Sequence, residues 1–197
     1  MLPEYLMGKY PVTVRQFAAF VQGTGHRCRA EKDVKKKGEH PVTKVNWDDA
    51  VAFCQWASQR TGRQVRLPSE AEWEKAARGT NGRIYPWGDQ APDAHHCNYN
   101  NNVKGTTPVG RYSPLGDSPY GCADMAGNVW EWTGSLDKPY PYNAKDGRED
   151  PKDRGMRVLR GGAFYDYLRL VRSGFRVNRN PGSLYASYGF RVCVFPI

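Results

Sequence analysis

The sequence predicts an α+β fold with few helices, short strands and many loops. Three observations carry this. Three amphipathic helix patterns with matched caps crowd into the first 79 of the 197 residues. Turn-forming dipeptides then replace helical periodicity. The chain is also generous in Gly (21), Pro (14) and Trp (6), as suits a loop-built core fastened by large rings.

The first helix is expected from Thr13. Thr13 can cap it, and Gln16 three residues on completes a capping box. Val14, Phe17, Ala18 and Val21 repeat at helical spacing, and Gly23 and Gly25 end the run. A second helix starts near Asn46, with Trp47, Ala50, Val51, Cys54 and Ala57 in one apolar stripe, closed by Gly62. A third has Ser69 as cap and Glu72 as its box partner. Trp73, Ala76 and Ala77 face inward, and Gly79 ends it. Beyond it, Asn81-Gly82, Pro86-Trp87-Gly88 and the run from His96 to Asn102 are turn chemistry. Strand-like runs occur at Met156 to Leu159 and Phe190 to Phe195. There is no internal repeat and no low-complexity tract. Asp146 to Arg154 is a polar loop, and residues 1–197 read as one domain.

Composition narrows the function classes. No stretch approaches the roughly 18 apolar residues of a membrane span. The opening Met1-Leu2-Pro3-Glu4-Tyr5 has neither a basic nor an apolar signal region, so the cytoplasm is the default compartment. Five cysteines (Cys28, Cys54, Cys97, Cys122 and Cys193) with no CxxC spacing argue against a disulfide framework or a zinc knuckle. Cys54, inside an apolar helix pattern, reads as a buried small hydrophobe. The formal charge of +9 is partly local, in Lys35, Lys36 and Lys37, which read as a solvated loop. No nucleic-acid motif accompanies it, so nucleic acid is disfavoured as a partner. His95, His96 and Cys97 are adjacent, and adjacent side chains rarely converge on one ion. They read as a loop.

Several blocks resemble a known family. They include Met7-Gly8-Lys9-Tyr10-Pro11-Val12-Thr13, His40-Pro41-Val42 and Val45-Asn46-Trp47. Arg66 to Glu74 (RLPSEAEWE), Tyr85-Pro86-Trp87-Gly88 and Gly127 to Trp132 (GNVWEW) are the most specific, with Arg160-Gly161-Gly162 and Gly189-Phe190-Arg191. They run in order from Met7 to Val192 and resemble the formylglycine-generating (sulfatase-modifying factor) family. The resemblance implies that family's irregular version of the C-type lectin fold. The family includes copper-dependent oxidases, modules fused to other enzymes, and non-enzymatic variable proteins of diversity-generating retroelements. Fold alone does not choose among them.

The oxidase reading requires two cysteines shortly after Arg160-Gly161-Gly162, holding copper as thiolates. No cysteine lies between Gly162 and Val192, and the stretch has no histidine. No enzyme and no copper are therefore expected. No G-x-S-x-G elbow offers a hydrolase instead. The resemblance does imply a structural calcium ion, with carboxylates from Asp124 and Glu131 and carbonyls from Gly127 and Val129. Such an oxygen set suits a hard cation. The competing reading is that Glu131 only hydrogen-bonds its loop. A second family site would use Asn98 and Tyr99 with positions near Asn101 and Val103, but the usual aspartate is missing.

The segment from Gly161 to Arg191 contains no Lys, Glu, Gln, Met or Trp, all of which occur elsewhere. Those five types have no codon ending in C, so mutagenesis at the adenines of AAC codons would leave this signature. Between scaffold-like Arg172, Arg176, Asn178, Asn180 and Pro181 stand Tyr165, Asp166, Tyr167, Leu168, Leu170, Phe175, Ser183, Leu184, Tyr185, Ser187 and Tyr188. Tyrosine with small polar residues is also the composition of evolved binding surfaces. These eleven residues are the expected ligand contacts. Phe164, Val171 and Phe175 can equally fill a core. The sequence thus predicts a non-enzymatic ligand-binding domain with 161–191 as its variable region, and an unknown protein or other macromolecule as partner. The alternative is a divergent enzyme of the family or an enzyme's accessory module.

Overall fold

Side-chain caps start each of the three long helices where the sequence placed them. The computed structural model describes residues 2–30 and 33–195, so Met1 of the opening pentapeptide lies outside the described residues. After a short strand β1 (Leu6–Met7), helix α1 (Val14–Thr24) opens with the expected box. The Thr13 hydroxyl accepts the Gln16 N–H, and the Gln16 side chain accepts the Thr13 N–H. Phe20, outside the expected stripe, is buried with Val14 and Phe17, while Ala18 and Val21 sit at the stripe's edge. Lys35 to Lys37 correct the loop reading. They form one helical turn, α2 (Val34–Lys37), because the Asp33 side chain accepts the Lys36 N–H.

Helix α3 (Trp47–Thr61) is boxed by Asn46 and Asp49, and α4 (Glu70–Arg78) by Ser69 and Glu72, with β2 (Val65–Arg66) between them. The later chain supplies β3 (Trp130–Leu136), β4 (Arg157–Arg160), β5 (Arg176–Arg179), β6 (Tyr188–Phe190) and β7 (Cys193–Val194). One sheet has the order β5-β4-β3-β6, with β3 and β6 parallel; the other is β1-β7-β2, all antiparallel. The Phe190 to Phe195 run is therefore two strands, not one. The chain changes sheets across Arg191 and Val192, because the Arg191 side chain is fully buried at the crossover.

The main core gathers Phe17, Phe20, Phe53 and Phe190, with ring centroids 5.2–6.2 Å apart, against Trp130 and Trp132 of β3. Edge-to-face ring pairs of this kind add to the area they bury. Cys54 joins this core, as expected of a small hydrophobe. The loops are held differently. Arg157, Arg160 and Arg191 are buried, and each donates to several loop carbonyls. A buried guanidinium with five N–H donors satisfies backbone that no sheet pairs.

A candidate binding surface and the ion pairs beneath it

Two loops form the surface that the sequence singled out. The first, 163–175, is built on a tight turn. The Asp166 carboxylate accepts the Ala163 N–H at 2.8 Å, and the Asp166 N–H returns to the Ala163 carbonyl. Its outer edge is tied to a neighbouring loop. Asn100 and Asn101, both at positive φ, donate backbone N–H groups to the Asp166 and Phe164 carbonyls. The second loop, 180–188, is joined to the first where Tyr165 and Ser187 hydroxyls meet at 3.0 Å. Its floor is fixed by the Trp130 N–H, which donates to the Ser187 carbonyl.

The eleven expected contacts divide sharply. Tyr165 (41% exposed), Tyr167 (68%), Leu168 (52%) and Tyr185 (55%) face solvent. Leu170, Phe175, Ser183 and Leu184 are half-buried, and Phe175 leans on Trp130 with ring centroids 6.2 Å apart. Asp166, Ser187 and Tyr188 correct the expectation, because all three are buried. Asp166 is spent on its own turn, where burial pushes its carboxyl up and the Ala163 and Trp130 bonds pull it back. Ser187 lies in the β3–β6 seam. Tyr188 packs edge-on against Trp132, and its hydroxyl accepts from Arg179 Nε. Sequence reasoning missed Ala186, Arg169 and Arg172, which share these loops and are exposed. No residue-type signal marks them, since alanine and arginine are scaffold types too.

Beneath the loops, Glu70 is fully buried and receives Arg176 Nε and Nη2 at 2.7 and 2.9 Å and Arg160 at 3.3 Å. Arg160 also reaches Glu74 at 2.6 Å and the carbonyls of Ser173 and Gly174. One ion-pair cluster thereby anchors both ends of the 161–176 segment to α4. Such pairs fix geometry more dependably than they add stability.

The four implied calcium ligands run from the 124–129 turn into the start of β3. Gly127 is required there: at φ 74° a Cβ would stand 2.1 Å from the Asn98 carbonyl oxygen. Asp124, at φ 55°, accepts the Gly110 N–H at 2.6 Å, and burial pushes its carboxyl up to about 6. Glu131 is already engaged. Its Oε2 accepts Trp73 Nε1 (2.7 Å) and Arg191 Nε (2.6 Å), and its Oε1 accepts Arg191 Nη2 (2.7 Å). The Gly127 carbonyl accepts the Val129 N–H. As arranged, this donor set fits an internal ion pair better than a dication, because Arg191 already places a positive charge against the carboxylate. Among the described residues no three His, Cys, Asp or Glu side chains converge. His96 pairs with Asp93, and Cys97 is buried beside Tyr85, Ala126 and Val171.

Four of the five thiols are shut away from solvent, and Cys28 is half-buried. Cys54, Cys97, Cys122 and Cys193 are buried and free, and burial pushes each of them up, Cys193 to about 12. Burial in apolar surroundings disfavours the thiolate, the form that acts as ligand or nucleophile.

A family profile described as the sulfatase-modifying factor enzyme 1-like domain matches residues 1–195. The formylglycine-generating enzyme of Thermomonospora curvata is 31% identical over 263 residues, spanning 100% of this chain and 84% of that protein. A Bos taurus protein named inactive C-alpha-formylglycine-generating enzyme 2 is 36% identical over 182 residues, covering 80% of this chain. The chain spans only 51% of the length of that relative. Treponema denticola variable protein 1 superposes with a TM-score of 0.78 at 24% identity, covering 98% of this chain and 84% of that one, a likeness of fold. No helix among the described residues is long and apolar enough to cross a membrane.

Proposed function

Because the chain belongs to the sulfatase-modifying factor enzyme 1-like family, in which one relative is named as a formylglycine-generating enzyme and another as an inactive one, we propose from the site itself that it is a non-enzymatic binding protein. Its binding surface is the pair of loops carrying Tyr165, Tyr167, Leu168 and Tyr185, and its ligand is a protein or other macromolecule. The observation that carries this reading is a division of labour within one segment. Four large side chains point outward from 161–191, while Asp166, Ser187, Tyr188 and the Glu70 ion pairs hold the backbone beneath them. Tyrosine gives large contact area at small entropic cost, and outward Leu and Tyr side chains ask for a partner. The absence of Lys, Glu, Gln, Met and Trp from the segment supports adenine-directed diversification of these positions. In this proposal the Asp124–Glu131 turn is braced by Arg191 in place of calcium.

A folding library tests the surface. Randomising Tyr165, Tyr167, Leu168 and Tyr185 together should leave most members folded with near-parental melting temperatures. Randomising Asp166, Ser187 and Tyr188 should leave few. Equal tolerance in the two libraries would defeat the assignment.

The enzyme alternative is favoured by one observation, the 31% identity to a formylglycine-generating enzyme. Aldehyde formation on a sulfatase-derived cysteine peptide, with copper and oxygen supplied, would establish it.

A further inference from the structure

A cavity of about 950 Å3 opens between α3, β2, the start of α4 and the 142–151 stretch, at the upper end of the size of small-molecule sites. None of Tyr165, Tyr167, Leu168 or Tyr185 lines it. Its walls are mostly apolar and include Trp47, Val51, Leu67 and Tyr142. Three charged side chains reach it: Arg66, Glu72 and Glu149.

Their pairing decides what the cavity can hold. Arg66 is spent on Glu72, in a two-pronged bond at 2.7 and 2.8 Å. Glu149 has no cation of its own among the residues lining the cavity. Its Oε1 accepts hydroxyls from Ser135 (2.6 Å) and Tyr142 (3.3 Å). Arg157 does not line the cavity; its guanidinium stacks on the Trp47 ring at 4.2 Å and donates to the carbonyls of Gly134 and Asp150. Two carboxylates thus face one guanidinium, in a chain whose overall formal charge is +9. A carboxylate with its hydroxyl donors in place, set in an apolar wall, is complementary to a cation carried on an apolar body.

We propose that this cavity binds a small amphiphilic amine, its hydrocarbon against Trp47, Val51 and Leu67 and its ammonium on the Glu149 carboxylate. The surroundings of Glu149 agree. Glu149 is an exposed residue, but its place against the cavity wall desolvates the carboxyl and raises it above the ordinary range despite the Ser135 and Tyr142 bonds, a cost that a bound ammonium offsets. Non-specific attraction runs the other way, because a basic protein draws anions.

Calorimetric titration of the full chain with n-octylamine, n-octanol and octanoate tests this. Octylamine is expected to bind at least about tenfold more tightly than octanol, and octanoate least. Glu149→Gln should remove the amine's advantage and leave octanol unchanged. Val51→Trp, which puts an indole on the wall that holds the hydrocarbon, should weaken octylamine and octanol alike in a protein whose melting curve stays cooperative. Equal binding of octylamine and octanol, tightest binding of octanoate, no heat at millimolar probe, or unchanged amine binding by the Glu149→Gln protein would each overturn the proposal.

Discussion

Arg191 lies fully buried with its Nε and Nη2 on the two carboxylate oxygens of Glu131, at 2.6 and 2.7 Å. The same guanidinium donates to the carbonyls of Gly8, Lys9, Ala123 and Asp124. One side chain at the crossover between the two sheets therefore closes the N-terminal segment, the 123–124 turn and β3 together. Desolvation works against the charge on Arg191, and the Glu131 carboxylate more than restores it.

Glu131→Gln should destabilise by about 3–5 kcal/mol, because it strands a buried cation. Arg191→Met should cost a similar amount. The double variant should cost less than the two losses added, since with both charges gone none is left stranded in the core. Denaturant unfolding of the four proteins measures the coupling, and strict additivity would mean that the pair does not act as a unit.

Calcium gives a second test of the same turn. If Arg191 braces it, the melting temperature is the same in calcium and in chelator. Asp124→Ala then lowers it equally in both, through the lost acceptor for the Gly110 N–H, worth about 1–3 kcal/mol. A rise in calcium that Asp124→Ala removes would restore the ligand set that the family resemblance implied.

The surface tyrosines separate from the buried one. Tyr167→Ala should change stability by no more than about 0.5 kcal/mol, and Tyr185→Ala, whose ring packs on Tyr188 at 4.8 Å, by about 1 kcal/mol. Tyr188→Ala should cost about 3–5 kcal/mol, by opening a hole against Trp132. Thermal melts of the three variants suffice. A large loss at Tyr167 would place that side chain in the core.

Local chemistry made the helices legible. Thr13 with Gln16 and Ser69 with Glu72 announce a helix start through bonds within four residues, and the structure forms both boxes. The strands were less so. β3 is buried along nearly its whole length, so no two-residue alternation marks it. The split between β6 and β7 depends on where Arg191 finds Glu131, 60 residues away. Within 161–191, which side chains face solvent was not legible residue by residue. Composition is the same for Tyr167 and Tyr188, and only tertiary contacts turn one outward and the other onto Trp132. The cavity beside Glu149 had no sequence signal, because its walls come from five separate stretches.

Acid should erase the contribution of the Arg66–Glu72 pair. Burial works to raise the Glu72 carboxyl, but Arg66 and the Ser69 N–H outweigh it and hold the group below its usual 4.5. A carboxyl depressed in the folded state stabilises above its unfolded pKa, and that contribution is lost as pH falls through the lower folded value. Glu72→Gln keeps the capping box with Ser69 yet loses the charge. Its deficit in melting temperature should be clear at pH 7 and shrink below about pH 4. A deficit that grows in acid would contradict the sign of this shift.

Sequencing the genomic locus around this gene tests the central claim most directly. A diversified binding surface predicts a nearby near-copy of the segment encoding Gly161 to Arg191, differing from it at adenines and lying beside a reverse-transcriptase gene. A locus with neither would contradict diversification, and the missing Lys, Glu, Gln, Met and Trp would then be a coincidence of composition.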